Sequence, residues 1–476
     1  MQFNLKPPYN GIAQDRFYWD NGECAYMENI SNEQMRYATL EKWFALSSFP
    51  WPSTWATWLA TFTPNQMLDT PSGLITCGDS KVLFNSWDVS AVVAWAKRVE
   101  YKLDNSWGQT NYFITSSWVT TTNSWVTATI WAAATHPWST SWTVTASCMV
   151  YNDILFARWS FICKYDSVTN VITSLSSNIP IFAWSKVKYM YFYNDMVYIV
   201  TTYAGNTITY QVQYSSWGYG IYGTEKIEWE ICTWAVWVWP IIYWTTSNKI
   251  YWFSWTSSQL IRFIWVNNSF DEAIFPTSSI LVHNKWYIYI GGNGTDIYVF
   301  WTKYQWRRQS LRKITYTESI VWMTRSIWNS LYIATDWQSS LLYIRNNSDT
   351  YPNSGFYITL PFDAGDYSQV KSDLKFRVGY QLTTWTSITI WVMTDAMEMT
   401  NTTTYANVAT LSDTSKRVSY IGIQEILTAL GSNSPEWQYL RFKVTLNGGG
   451  WSSWARDNTP KFYDITPVYE ESENNF

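Results

Sequence analysis

One unit recurs through the middle of this chain: a short apolar run, a polar turn, then an apolar strand that usually carries a tyrosine. Val150-Tyr151-Asn152-Asp153-Ile154-Leu155-Phe156 is one copy, and Tyr193-Asn194-Asp195-Met196-Val197-Tyr198-Ile199 is the next. Ser247-Asn248-Lys249-Ile250-Tyr251, His283-Asn284-Lys285-Trp286-Tyr287-Ile288-Tyr289 and Trp328-Asn329-Ser330-Leu331-Tyr332-Ile333 follow. The turn asparagines 152, 194, 248, 284 and 329 are spaced by 42, 54, 36 and 45 residues, close to the ~40–50 residues of a propeller blade. Weaker copies at Gly78–Phe84 and Thr110–Ile114 bring the number of units to seven. Each unit reads as a small antiparallel meander with an apolar face that it cannot bury alone. Packing the units radially buries those faces and leaves only short sheet edges. A linear stack of β repeats is the alternative, and the variable spacing argues against it. The expected fold is therefore all-β: a β-propeller of about seven blades.

The flanks differ from the repeats. Residues 1–70 read as an extended arm and linker, with Pro and Asn through Met1–Tyr18 and a Pro/Ser/Thr/Trp-rich run from Phe49 to Pro64. Ser31-Asn32-Glu33-Gln34 fits a capping box and predicts one short helical turn. The repeat spans 71–351. After Pro352 a new set of strands begins with Phe356–Leu360. Leu374–Val378 and Leu440–Val444 alternate with period two, and Ser387–Val392 is a further strand. Glu425–Leu430 reads as a short helix. Residues 352–469 predict an antiparallel β-sandwich, and 470–476 an acidic disordered tail.

Composition excludes several function classes. The formal charge of −4 leaves no basic stripe to neutralise a phosphate backbone. The one basic cluster, Arg307, Arg308, Arg312 and Lys313, reads as a solvated strand edge. Five cysteines, widely spaced and without Cys-x-x-Cys, suit buried thiols in a reducing compartment. Met1–Pro8 carries polar residues and prolines where a secretory leader would be apolar. The longest apolar stretch, Ile231–Trp244, is about 14 residues and too short to span a bilayer. Neither nucleic acid nor membrane is expected as a partner.

The chain holds two histidines, His136 and His283, without a Gly-x-Ser-x-Gly elbow near them. Asp363, Asp366 and Asp373, and the pair Asp271 and Glu272, read as solvated loop carboxylates, although paired acids of a glycosidase meet only in space. Gly291-Gly292-Asn293-Gly294 and Gly448-Gly449-Gly450 read as loops between strands, not phosphate cradles. The sequence singles out no catalytic, cofactor-binding or metal-ligating residue, and a non-enzymatic protein without cofactor is expected.

Tryptophan is anomalous: 35 Trp against 20 Gly, when Gly ordinarily makes up ~7% of a chain. Trp follows turn formers in Asn85-Ser86-Trp87, Asn123-Ser124-Trp125, Asn284-Lys285-Trp286 and Asp336-Trp337, and precedes one in Trp328-Asn329. Glycine normally holds such places. Two readings account for this. One is a tryptophan-rich surface for stacking sugars or meeting a membrane interface. The other is a decoding effect: some bacteria and their phages read UGA as glycine, and translating UGA as tryptophan would write Trp there. Trp391 and Trp437 lie in strand-like runs and read as genuine aromatics.

With arm, repeats and sandwich in place, the layout resembles a class of bacteriophage structural proteins. The resemblance lies in the arm Phe3-Asn4-Leu5-Lys6-Pro7-Pro8, then Glu28-Asn29-Ile30, then a basic residue and glycine before the propeller, here Lys42-Trp43. Trp43 departs from that pattern unless UGA is glycine. The resemblance implies a virion protein of the tail or neck, made in the bacterial cytoplasm, with other virion proteins as partners in a multimeric assembly. The arm would add a strand to a neighbour's sheet. A carbohydrate-binding or glycan-cleaving propeller that recognises a host glycan is the competing expectation.

Overall fold

The computed structural model describes residues 11–12, 23–24, 26–31, 36–40, 45–46, 64–78, 81–85, 87–93, 95–104, 108–126, 129–135, 143–215, 218–238, 241–247, 249–254, 257–263, 280–292, 294–301, 311–327, 331–335, 342–344, 351–359, 374–394, 405–431, 440–449 and 458–469. His136, Asp271, Glu272, Arg307, Arg308, Lys42, Trp43, Asp336, Trp337, Asn248, Asn329, Asp363, Asp366, Asp373, Trp437, most of the expected arm and the acidic tail lie outside these residues.

β-Branched and aromatic residues alternating with turns give five four-stranded antiparallel meanders in chain order. They begin at Pro64–Thr70, Arg98–Leu103, Val144–Val150, Lys186–Tyr193 and Trp234–Val238. A sixth begins at Ile280–Asn284 and ends on the first part of Leu311–Arg325. The later part of that strand opens a seventh, with Leu331–Thr335 and Leu342–Ile344. Its outermost strand comes from far upstream: Ala45–Leu46 pairs with Ile344 and Tyr343.

The apolar residues show that these sheets close into a ring. Val82 and Phe84 of the first sheet pack with Val99 and Phe113 of the second. Tyr112 and Ile114 meet Ile154 and Phe156 of the third. Leu155 and Ala157, on the opposite face of the same strand, meet Val197 and Ile199 of the fourth. Val200 packs with Ile242 and Trp244 of the fifth, whose Tyr243 and Ile250 face Ile288 and Phe300 of the sixth. Val299 and Ile297 meet Met323 and Ile333 of the seventh, and Tyr332 and Ala334 return to Met67 and Leu74 of the first. Every sheet is buried on both faces by its two neighbours, which is the β-propeller that the periodic apolar meanders predict. The first strands line the axis.

The uneven marker spacing has a structural reason. Asn152, Asn194 and Asn284 lie where the first strand passes to the second. In the fifth sheet the second strand ends at Thr245 and the third begins at Lys249, so position 248 falls in sequence between the second and third strands. The same turn chemistry therefore marks two different corners of the repeat.

The C-terminal part holds two antiparallel sheets. One contains Ser354–Ile358, Leu440–Asn447, Ser387–Thr394 and Ala406–Leu411; the other contains Val418–Gly422, Leu374–Gln381 and Lys461–Tyr469. Ile388, Ile390, Phe442 and Val444 of the first share one buried cluster with Phe376, Val378 and Ile465 of the second. The helix Ile423–Leu430 closes an edge, with Glu425 accepting a hydrogen bond from the Gly422 N–H at its start and Gly431 ending it at φ 65°.

Three expectations need correction. The segment before residue 70 is not a free arm where it is described. Tyr26–Glu28 pairs with Ser354–Ile358 and touches Lys313, while Cys24, Met27, Ile30, Ala38 and Leu40 are buried in the C-terminal cluster. The propeller also starts earlier, at Pro64, because Pro at the first position of a strand removes no needed donor. Ser31 ends the strand Ile30–Ser31, and the rest of the capping-box segment, residues 32–34, lies outside the described residues. Nor are Arg312 and Lys313 a solvated edge: Arg312 is fully buried 4.9 Å from the Tyr287 ring centroid, and Lys313 bridges Glu28 at 3.4 Å and Asp296 at 3.0 Å.

Candidate functional site

The convergence of first strands leaves a cavity of ≈ 600 Å³ on the axis, within the ~300–1,000 Å³ of ligand pockets. Polar side chains stitch its wall from sheet to sheet. The Gln66 carboxamide bonds the Val99 backbone in both directions, at 3.1 and 2.7 Å. Arg98 donates from Nη1 to Asn65 O at 2.8 Å and from Nη2 to Thr145 O at 2.6 Å, reaching the sheets on either side of its own. Ser147 Oγ donates to Glu100 Oε1 at 2.6 Å. The Trp237 N–H donates to Tyr189 Oη at 3.0 Å, and Asp69 Oδ2 accepts the Ile327 N–H at 2.9 Å across the ring closure.

The electrostatics of the wall oppose the net charge of the chain. Arg98, Lys188 and Arg325 line the cavity from three different sheets, and no carboxylate lines it among the described residues. Burial lowers Arg98 to about 10. Burial also lowers Lys188, and the neighbouring Lys186 adds to the effect. Beside Arg98, burial raises Glu100 to about 7, against the pull of Ser147 and Arg98. His283, which the sequence left without a role, lines the cavity as a half-buried imidazole. Burial, then the nearby Arg325, lowers it to about 4, so it is neutral and suited to hydrogen bonding rather than to proton transfer near neutral pH.

Aromatic rings add a second character. Tyr191 stacks on Trp237 with centroids 4.9 Å apart, Tyr193 lies 5.1 Å from the same ring, and Trp234 meets Trp322 edge-on at 5.6 Å. A cationic wall with flat apolar faces suits an anionic or hydroxyl-rich ligand. Among the described residues no cluster of His, Cys, Asp or Glu is placed to hold a metal ion. None of these wall residues is legible as a site from sequence. One signal was available: Arg98, Lys188 and Arg325 all lie on the first strand of a repeat, the strand that faces the axis.

No family model matches the chain, and no curated protein does. Among solved structures it is similar to PorZ, a bacterial surface component of the type-IX secretion system of Porphyromonas gingivalis, at 10% identity and TM-score 0.40. That match covers 64% of this chain and 42% of PorZ, so the chain spans less than half of PorZ's length. Hsv2 of Kluyveromyces lactis is similar at 14% identity and TM-score 0.34, over 57% of this chain and 77% of that one. BBS1N, solved in complex with ARL6DN, is similar at 12% identity and TM-score 0.36, over 56% and 90%. The propeller assignment rests on the closed ring of inter-sheet clusters in this chain itself.

Proposed function

We propose that this protein is a non-enzymatic docking scaffold, and that it serves as a structural component of a bacteriophage virion, in the tail or neck. One observation carries the scaffold reading: a single β framework runs through both parts of the chain. The sixth propeller sheet continues through Tyr26–Glu28 into the C-terminal sheet, in the order Leu311–Arg325, Tyr26–Glu28, Ser354–Ile358, Leu440–Asn447. Lys313 fastens the joint through Glu28 and Asp296. A propeller disc and a β-sandwich locked in this way hold two sets of surface loops at fixed separation, which suits multivalent docking. The virion placement rests on the layout of the sequence. Cys24, Met27, Ile30, Ala38 and Leu40 complete this chain's own core, and the arm Phe3–Pro8 that the resemblance uses lies outside the described residues. Its partners are other virion proteins in a multimeric assembly, with no role for nucleic acid or membrane, and synthesis takes place in the bacterial cytoplasm. Cross-linking of purified particles tests this: exposed Lys226 and Lys285 should link to neighbouring virion proteins. Absence of the chain from particles would end the virion placement.

A glycan-recognising propeller is the second reading, favoured by the stacked Tyr191 and Trp237 beside Lys188 on the axis. Titration with neutral and uronate-bearing oligosaccharides separates the two. Saturable binding that is lost in Lys188→Ala supports the glycan reading, and its absence supports the scaffold alone.

A further inference from the structure

Five tryptophans occupy backbone conformations that indole side chains rarely take. Fourteen described residues other than glycine have positive φ, and five of these are Trp: Trp95 at 64°, Trp159 at 56°, Trp184 at 70°, Trp229 at 61° and Trp385 at 66°. Asn and Asp, which tolerate the left-handed region through local hydrogen bonding, also supply five. For a bulky side chain such a φ is an outlier. The three described tryptophans that follow turn formers, Trp87, Trp125 and Trp286, are not among the five; the signature falls on residues that the sequence pattern did not select.

The local geometry at each of the five is a glycine geometry. The Thr386 N–H donates to Thr383 O at 3.1 Å, and of the two central residues only Trp385 has positive φ. That is a type II turn, whose third position requires Gly or Asn. The Ser185 N–H donates to Phe182 O at 3.1 Å, and Trp184 is again third. Trp159 opens the two-residue hairpin loop between paired Arg158 and Phe161. Only the first of its two residues has positive φ, the pattern of a type II′ turn, which favours Gly at that first position. Trp95 follows the short helix Ser90–Val93 at φ 64°, as Gly431 follows the helix Ile423–Leu430 at 65°. Trp229 ends a strand turn with its N–H on Asn206 Oδ1 at 3.0 Å.

Burial does not hold these rings in place. Their exposures are 58% (Trp95), 40% (Trp159), 75% (Trp184), 85% (Trp229) and 72% (Trp385). Trp244 shows the contrast: it is fully buried, stacked 4.2 Å from Tyr251, and has no positive φ. At four of the five positions the side chain is mostly exposed, so contacts offset little of the cost of a backbone that asks for glycine.

We propose that positions 95, 159, 184, 229 and 385 carry glycine in the protein that its source makes, their codons being UGA decoded there as glycine. The inference goes beyond the scaffold reading and does not depend on it. It removes five indole tips from the loop surfaces, so aromatic docking at those turns is not a property of the native protein.

The test is the protein isolated from its source. Peptide sequencing by mass spectrometry across the five positions should read glycine, each peptide lighter by the difference between a Trp and a Gly residue, with UGA at each codon in the gene. Tryptophan-bearing peptides and UGG codons overturn the proposal. A second measurement compares the chain carrying five Trp with the chain carrying five Gly, both made in a host that reads each codon conventionally. The glycine form should melt at the higher temperature. Equal or lower melting of the glycine form overturns the structural argument.

Discussion

Replacing Glu100 by Gln tests whether the wall of the axial cavity holds a carboxyl away from water. Burial raises Glu100 from 4.5 to about 7. A carboxyl raised on folding loses stability for the fold as pH rises. Its contribution is intact below the unfolded value and is lost progressively as pH climbs past 4.5 and through 7. A gap of about 2.5 pH units corresponds to roughly 3 kcal/mol at full ionisation. Most of that, about 2–3 kcal/mol, falls between pH 5 and pH 8. Gln keeps the oxygen that accepts the Ser147 hydroxyl and removes the charge. Denaturant unfolding of the parent and Glu100→Gln at pH 5 and pH 8 is the assay. His283 acts in the opposite sense, because its lowered value makes stability fall as pH drops below 6.5. The difference between the two proteins, rather than either curve alone, therefore isolates Glu100. Near-equal stability at pH 5 and a gain for the variant at pH 8 are expected. Parallel profiles, or a variant weaker at pH 8 than at pH 5 relative to the parent, would refute the reasoning.

Three further outcomes follow from the same structure. A Cβ at Gly355 would lie 2.6 Å from the Asn29 carbonyl oxygen, so Gly355→Ala should cost about 1–3 kcal/mol in denaturant unfolding and speed amide exchange in Tyr26–Glu28. The five cysteines are buried, and burial pushes the thiols of Cys77 and Cys232 up to about 12 and that of Cys163 to about 11. A thiol reagent should therefore label none in the native protein and all five in denaturant. Trp385→Gly should raise stability by about 1 kcal/mol, the relief of a left-handed non-glycine residue offset in part by added unfolded-state freedom, and thermal unfolding reads it.

The propeller was legible because its signal is local. Tyr-bearing strands and two-residue turns repeat within a few dozen residues, and apolar faces on both sides of strands such as Asp153–Arg158 leave radial packing as the way to bury them. What the sequence hid is long-range. Asn29 Oδ1 accepts the Thr315 N–H across 286 residues, and Leu40 N–H donates to Thr459 Oγ1 across 419. Nothing within residues 23–46 announces such partners, so polar turns and prolines read as an arm. Arg312 was misread for a related reason: its charge suggested water, while its strand lies inside a sheet with Tyr287 beneath the guanidinium. The axial wall was invisible because Arg98, Lys188 and Arg325 meet only after the ring closes.

The joint between the two parts depends on one strand serving two sheets. Leu311–Arg325 is 15 residues long, where the other strands of the ring have ten or fewer. Its start completes the sixth sheet at Phe300, its later part opens the seventh at Leu331, and Lys313 between them meets Glu28. A repeat array is ordinarily loosest at its ends, where the terminal unit lacks a neighbour. In this closed ring every sheet has two neighbours, and the last two sheets are also held by upstream strands, the seventh by Ala45–Leu46 and the sixth by Tyr26–Glu28. Both clasps come from the same upstream stretch of chain. The ring itself closes independently of that stretch, through Tyr332 and Ala334 on Met67 and Leu74 and the Ile327 N–H on Asp69, while Met27 and Ile30 of the stretch complete the C-terminal core. The strand order that joins the propeller to the C-terminal sheet through Tyr26–Glu28 is the observation on which the proposed scaffold reading rests.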